Sequence, residues 1–210
     1  MPSIEQARAW YQNSDAVHDF DHVMRVYRLA ETLAEKEGAD IEIVRAAALL
    51  HDAESASGDT DVRMDHHEAA AIFAGKVLAE EGWEEERIKA VQYCILTHRF
   101  RGDRQPNSIE AKVLFDADKL DAIGAIGAAR ALAYAVLDGQ PLYAEPSMTF
   151  QKALKTEPGE PYTAYHEYLF KLSRLKDRIQ TESGKAFANA RHEYLKGFFQ
   201  QLRAEVQGQR

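Results

Sequence analysis

A chain of 210 residues with 45% hydrophobic content is long enough to bury a core of its own, and a single domain over 1–210 is expected. A formal charge of −8 argues against a broad phosphate-neutralising surface, and so against long nucleic acids as partners, while leaving room for a local basic pocket. The lone cysteine, Cys94, excludes an internal disulfide framework, and no stretch approaches the roughly 18 apolar residues of a membrane span.

In chain order, MPSIEQARAW shows no uninterrupted apolar segment of signal-peptide type, so a soluble cytoplasmic protein is expected. Val23, Val26, Tyr27, Leu29, Ala30, Leu33 and Ala34 recur at helical spacing behind Asp19 or Asp21, and Gly38 closes that helix. Asp40 then caps IEIVRAAALLHD. HHEAAAIFAGKVLAEEG and EERIKAVQYCILTH read as two further helices, which break at Gly82 and before RFRGDRQPNS. EAKVLFDADKLDAIGAIGAARALAYAVLDG is one long helical pattern, with a bend expected near Gly124 or Gly127. The segment 139–161 is rich in proline and lacks a sustained period, which predicts a loop or lid with a short turn of helix. Helical spacing returns over 162–207, with Tyr165, Tyr168, Leu169, Leu172 and Leu175 in one stripe. No strand pattern is present, and the expected class is all-α.

Polar groups embedded in apolar surroundings carry the chemistry. AAALL is apolar on every side of its helix, the mark of a central element, so His51 and Asp52 emerge at the core. In VLFDADKLDAIGAIGAAR, Asp118 and Asp121 lie one turn apart and share a face with Leu114, Ala122 and Ala125, whereas Asp116 points away and reads as solvated or as a local cap. Carboxylates from two helices facing each other bare would repel, and a divalent cation removes the conflict. Imidazole with carboxylate suits Mn, Fe, Co, Ni or Zn, whereas an all-oxygen site would have suggested Mg or Ca; Mg stays among the candidate ions. HDFDHVMRVYRLA offers His18 and His22 as a third contributor. With Asp19 capping the helix start and leaving His18 outside the regular turn, His22 is the favoured ligand.

The order His22, the His51–Asp52 doublet and Asp118 resembles the HD-domain metal-dependent phosphohydrolases, within the contexts DHVMRV, ALLHDAE, HHEAAAIFA and DADKLDAIGAIGAAR. The resemblance is greatest to a bacterial subgroup of small HD-domain hydrolases and runs from about residue 15 to about residue 205. It implies an HD-type helical fold with a core over roughly 15–138 and C-terminal helices covering a metal cleft. It also implies one divalent ion, with room for a second, held by His22, His51, Asp52 and Asp118.

Such an ion would lower the pKa of a water and polarise phosphorus. Glu54, two residues past Asp52, and Asp121 are the rival candidates for the catalytic proton acceptor. Arg25, one turn beyond His22, and Lys119, beside Asp118, are candidates for neutralising phosphoryl charge. His66, His67 and His98 would complete the ligand order of two-metal HD proteins, among them di-iron oxygenases. With one metal, His67 and His98 would instead donate hydrogen bonds to a substrate phosphate, beside the loop cations Arg99, Arg101 and Arg104. The expected activity is hydrolysis of a small phosphorylated metabolite, a nucleotide first, with cleavage of a nucleoside triphosphate to monophosphate and pyrophosphate. The rivals are a di-iron oxygenase and a non-catalytic nucleotide-sensing module. Cys94 reads as a small buried hydrophobe, His166 and His192 as packing or surface residues, and Phe198 and Phe199 as core.

Overall fold

The computed structural model describes residues 1–11, 20–53, 66–99 and 105–209, of which the side chain of His66 is not part. Among these residues the structure is α-helix with one 3-10 helix and no strand, the expected class. Packing groups the chain into two compact units, Met1–Lys119 with Gln180–Gly184, and Leu120–Ile179 with Lys185–Arg210.

The first unit holds α1 (Ile4–Ala9), α2 (Phe20–Glu37), α3 (Ile41–Leu50), α4 (His66–Glu80), α5 (Glu85–Thr97) and most of α6 (Ile109–Asp121). Asp40 caps α3 as the sequence predicts, accepting hydrogen bonds from the Glu42 and Ile43 backbone N–H groups, a contact worth about 1 kcal/mol. The helix packs against α1, α2, α4 and α5, and Ala46 through Leu50 have no exposed surface. A segment without a polar face has no surface position open to it, so its C-terminus is delivered to the interior. Cys94 is fully buried on α5.

Asp116 departs from expectation. It is fully buried, and its carboxylate accepts hydrogen bonds from the backbone N–H of Gln180 at 2.8 Å, the backbone N–H of Thr181 at 2.7 Å and the Thr181 hydroxyl at 2.6 Å. These donors make burial tolerable where the helical period alone pointed Asp116 to solvent. Burial still holds its carboxyl above the usual range. Thr181 in turn accepts from the Gly184 N–H at 3.0 Å, and Glu37 accepts from the Ser183 N–H at 2.7 Å. Both bonds satisfy unpaired donors in the first turn of α10 (Glu182–Val206).

The second unit contains α7 (Gly124–Leu137), α8 (Met148–Ala153), α9 (Ala164–Phe170), the 3-10 helix Leu172–Arg178 and most of α10. The long pattern after Glu110 is broken into α6 and α7 at Ala122 and Ile123. Gly124 takes a φ of +80°, a conformation that side chains disfavour. A Cβ on Gly127 would lie 2.2 Å from the Ala122 carbonyl oxygen, so only glycine permits that approach. The 139–161 segment contains α8 and is tied internally. Glu160 accepts from the Ser147 N–H at 2.7 Å, the Ser147 hydroxyl at 2.9 Å, the Glu157 N–H at 2.7 Å and His166 Nε2 at 3.2 Å. His166 is thus a buried part of that tie. Phe199 is fully buried and stacks on Tyr168 at 4.6 Å between ring centroids, while Tyr165, Tyr168 and Phe198 are only partly buried, so of the expected core aromatics Phe199 is core and the others flank it. Among the described residues no single helix is long and apolar enough to cross a membrane.

Candidate metal centre

Four helices of the first unit each deliver a polar side chain to one place. His22 lies in the first turn of α2, His51 ends α3, His98 ends α5, and Asp118 lies in the last turn of α6. His51 and His98 use the same local device. Each ring folds back so that its Nδ1–H donates to the carbonyl three residues earlier, Ala48 at 2.8 Å and Ile95 at 2.5 Å. This fills a carbonyl left open at a helix end and leaves Nε2 of the neutral ring with a lone pair. At the end of α3, Tyr11 is buried and its hydroxyl donates to the Leu49 carbonyl at 3.0 Å, bracing the turn that carries His51 and Asp52.

Nitrogen and oxygen donors converge from these positions. His51 Nε2 is 3.4 Å and His22 Nε2 is 4.0 Å from Asp52 Oδ2, while His98 Nε2 is 3.7 Å from Asp52 Oδ1. His22 Nε2 is 3.6 Å from Asp118 Oδ1. The donor atoms of His22, His51 and Asp118 all lie within 4.8 Å of one another, a spacing that one ion can bridge. The side chain of His51 is wholly enclosed, whereas those of Asp52 and Asp118 keep 17% and 16% exposure. Access is therefore from the carboxylate side.

The electrostatics fit a cation. Burial opposes charge on Asp52, Asp118 and His98, and it takes His98 down to about 4 despite the attraction of Asp52. For Asp52 burial pulls upward, but the neighbouring His51, His98 and His22 outweigh it and bring the carboxyl to about 2. Asp118 is likewise held well below the usual carboxylate range, burial being outweighed by Lys119 and then by His22. At neutral pH Asp52 and Asp118 are thus ionised and His98 is neutral. His51 Nε2 is buried with no hydrogen-bond partner, although a lone pair there has carboxylate oxygens as neighbours. An orphaned acceptor beside two anions is the arrangement that a divalent ion resolves, and a mixed imidazole and carboxylate set suits a first-row ion. His22, His51, Asp52 and Asp118 are the residues that would hold it, and His98 stands within reach of the same carboxylate.

The other expected site residues are distributed as follows. Lys119 reaches back along α6, its Nζ 2.5 Å from Asp118 Oδ2 and 5.4 Å from the Phe115 ring centroid, although successive positions on a helix point in different directions. His67 is paired with Arg99, whose Nη1 donates to His67 Nδ1 at 3.3 Å, so a neutral His67 carries its proton on Nε2. Asp121 is buried and accepts from Arg130 at 2.7 Å, an ion pair that proton acceptance would have to displace. Arg25 is among the residues lining a cavity at α1 and α2. Glu54, Arg101, Arg104 and His18, like the His66 side chain, lie outside the described residues. The sequence offered His98 either as a ligand of a second metal or as a donor to substrate phosphate, and its ring stands 5.3 Å from that of His51, centroid to centroid. The available signal was its position at a helix end after an apolar run, the same context as His51. Tyr11 and Arg130 were not singled out, and neither carries a local pattern that would have done so.

Comparison with known proteins agrees with this geometry. The HD domain family matches residues 19–123, which span all the residues of the cluster. YpgQ of Bacillus subtilis strain 168 is 35% identical over 216 residues, covering 99% of this chain and 96% of YpgQ. The crystal structure of Bacillus subtilis YpgQ in complex with ADP superposes with a TM-score of 0.74 at 33% identity, over 99% of this chain and 100% of that one. An HD-superfamily hydrolase from Bacillus thuringiensis gives a TM-score of 0.71 at 33% identity, over 97% of this chain and 96% of its own. Family, fold and donor set coincide, and the chain belongs to the HD domain family.

Proposed function

We propose that this protein is a divalent-metal-dependent phosphohydrolase acting on a nucleotide, with cleavage of a nucleoside triphosphate to monophosphate and pyrophosphate as the reaction to test first. The observation that carries the reading is the orphaned, fully buried His51 Nε2 set among His22, Asp52 and Asp118. Kinship with a protein crystallised with ADP supports a nucleotide as the ligand. A bound divalent ion would supply Lewis acidity toward a phosphoryl oxygen and a water of lowered pKa.

The chain's own groups supply the rest. Asp52 and Asp118 are ionised at neutral pH and line the accessible side, so they would order an incoming water and hold off a second anion unless a cation intervened. Lys119 already bears on Asp118 and would offer charge to a phosphate oxygen there. Arg99 orients His67 so that its Nε2–H can donate to a second phosphate oxygen. The Arg99 guanidinium beside His67 Nδ1 also disfavours a second cation at that ring, which argues against the di-iron oxygenase. Glu54 stays the proposed proton acceptor, since Asp121 is engaged with Arg130.

Elemental analysis of the purified protein, run with a Mn²⁺-supplemented screen of nucleotides for phosphate and pyrophosphate release, tests the reading. One metal per chain and pyrophosphate release abolished in His51→Ala is the expected result. Two irons per chain with no phosphorus product would replace it with the oxygenase, and tight nucleotide binding without product with the sensing module.

A further inference from the structure

Consecutive side chains of an α-helix diverge by about 100°, so His51 and Asp52 reach one ion only if the backbone that carries them takes a particular course. That course is set where α3 ends, and the last carbonyls there are not served as a continuing helix would serve them. The Ala48 carbonyl accepts from His51 Nδ1 at 2.8 Å. The Ala53 N–H, which a further helical turn would give to Leu49, donates to the Leu50 carbonyl at 3.3 Å instead. The Leu49 carbonyl accepts from the Tyr11 hydroxyl at 3.0 Å, a bond buried from solvent and made by a residue 38 positions away. With the turn so held, His51 Nε2 stands 3.4 Å from Asp52 Oδ2.

Tyr11 is itself anchored. In α1, Ser3 and Gln6 form a reciprocal cap, Ala7 is fully buried, and Glu81 accepts from the Met1 ammonium at 3.2 Å and from Gln6 Nε2 at 3.3 Å. Trp10 meets Phe73 of α4 edge-on with ring centroids 5.3 Å apart, and the Tyr11 ring lies 5.8 Å from that of Phe20, which starts α2. Burial first, and then the charge of Asp52, hold the Tyr11 hydroxyl well above the ordinary value of 10, so it stays a donor through the neutral range. An arm tied to α2 and α4 and ending on a carbonyl of α3 sets where that carbonyl lies.

We propose that Tyr11 is a positioning residue of the metal centre, whose hydroxyl holds the end of α3 in the course that presents His51 and Asp52 to one ion. The proposal rests on the metal-centre reading and is independent of which substrate is turned over.

Titration of the full chain, stripped of metal by a chelator and then dialysed, with Co²⁺ tests it by calorimetry and by visible absorption, because the Co²⁺ bands report the number and geometry of its ligands. Tyr11→Phe keeps the buried ring and removes the hydroxyl. It should bind Co²⁺ at least about 10-fold more weakly than wild type, with an altered band shape and an unchanged circular dichroism spectrum. Gly127→Ala, weakened in the other unit, is the control for stability and should bind as wild type does. Wild-type affinity and bands in Tyr11→Phe would make the hydroxyl a structural contact alone and overturn the proposal. Loss of the helical spectrum in Tyr11→Phe would do the same, as would an equal fall in affinity in Gly127→Ala, which would mean that binding follows fold stability. No Co²⁺ bound by wild type, or undiminished binding in His51→Ala, would instead overturn the metal-centre reading and the proposal with it.

Discussion

Nε2 of His98 faces Oδ1 of Asp52 across 3.7 Å, while the other ring nitrogen of His98 already donates to the Ile95 carbonyl. At neutral pH this sets an unprotonated nitrogen against an ionised carboxylate, because burial holds His98 down to about 4 and its neighbours bring Asp52 to about 2. The two attract only once a proton, or another cation, lies between them.

That relationship gives the metal-free protein a defined acid sensitivity. An unfolded chain takes up a proton on His98 below its ordinary value of 6.5, and the folded chain does so only near 4. The contribution to stability is therefore complete above pH 6.5 and is lost as pH falls toward 4, with a slope of up to about 1.4 kcal/mol per pH unit. Urea midpoints compared at pH 7 and pH 5 should converge in His98→Gln relative to wild type. An equal acid loss in both proteins would rule out His98 as the source.

Metal should stabilise the fold through the cluster. At a free ion concentration 100-fold above the dissociation constant the gain is about 2.7 kcal/mol, which calorimetric melts with Mn²⁺ and with chelator would register. In His51→Ala the difference between the two melts should vanish. Its persistence at full size would mean that the ion binds elsewhere.

Lys119→Met should lower kcat/KM by about 10²–10³-fold with metal content unchanged, the range for loss of one preorganised charge at a reacting phosphoryl group. Steady-state kinetics paired with elemental analysis separates this from damage to the site. Loss of metal together with activity would show Lys119 to be a support for Asp118 alone.

Gly127→Ala should destabilise the protein by about 1–3 kcal/mol, since the added Cβ falls 2.2 Å from the Ala122 carbonyl oxygen and backbone has to move. A fall in melting temperature of about 2–4 °C per kcal/mol is expected for a chain of this size. An unshifted melt would mean that the backbone at Ala122 relaxes freely.

Helix positions and the enclosure of His51 were legible because they rest on local rules. Asp40 is a cap by residue type, and His51 follows an apolar run that has to be interior. What was not legible depends on partners remote in sequence. Periodicity put Asp118 and Asp121 on one face, yet Arg130 decides that Asp121 is an ion-pair member. The same rule pointed Asp116 to solvent, and only the backbone of Gln180 and Thr181 explains its burial. Lys119 stands one position from Asp118 and so on another face of α6, yet it reaches that carboxylate because a long side chain covers more ground than its Cα position implies.

The hold of Asp116 on Gln180 and Thr181 spans 64 and 65 residues of chain. During synthesis at about 5–20 residues per second, its partners emerge roughly 3–13 s after it does. Through that interval a carboxylate destined for the interior lacks its donors, so α6 has reason to stay hydrated at that point. The helix carrying Asp118 would then settle late, and a nascent chain stalled before Gln180 would present an unfinished metal centre to the cell.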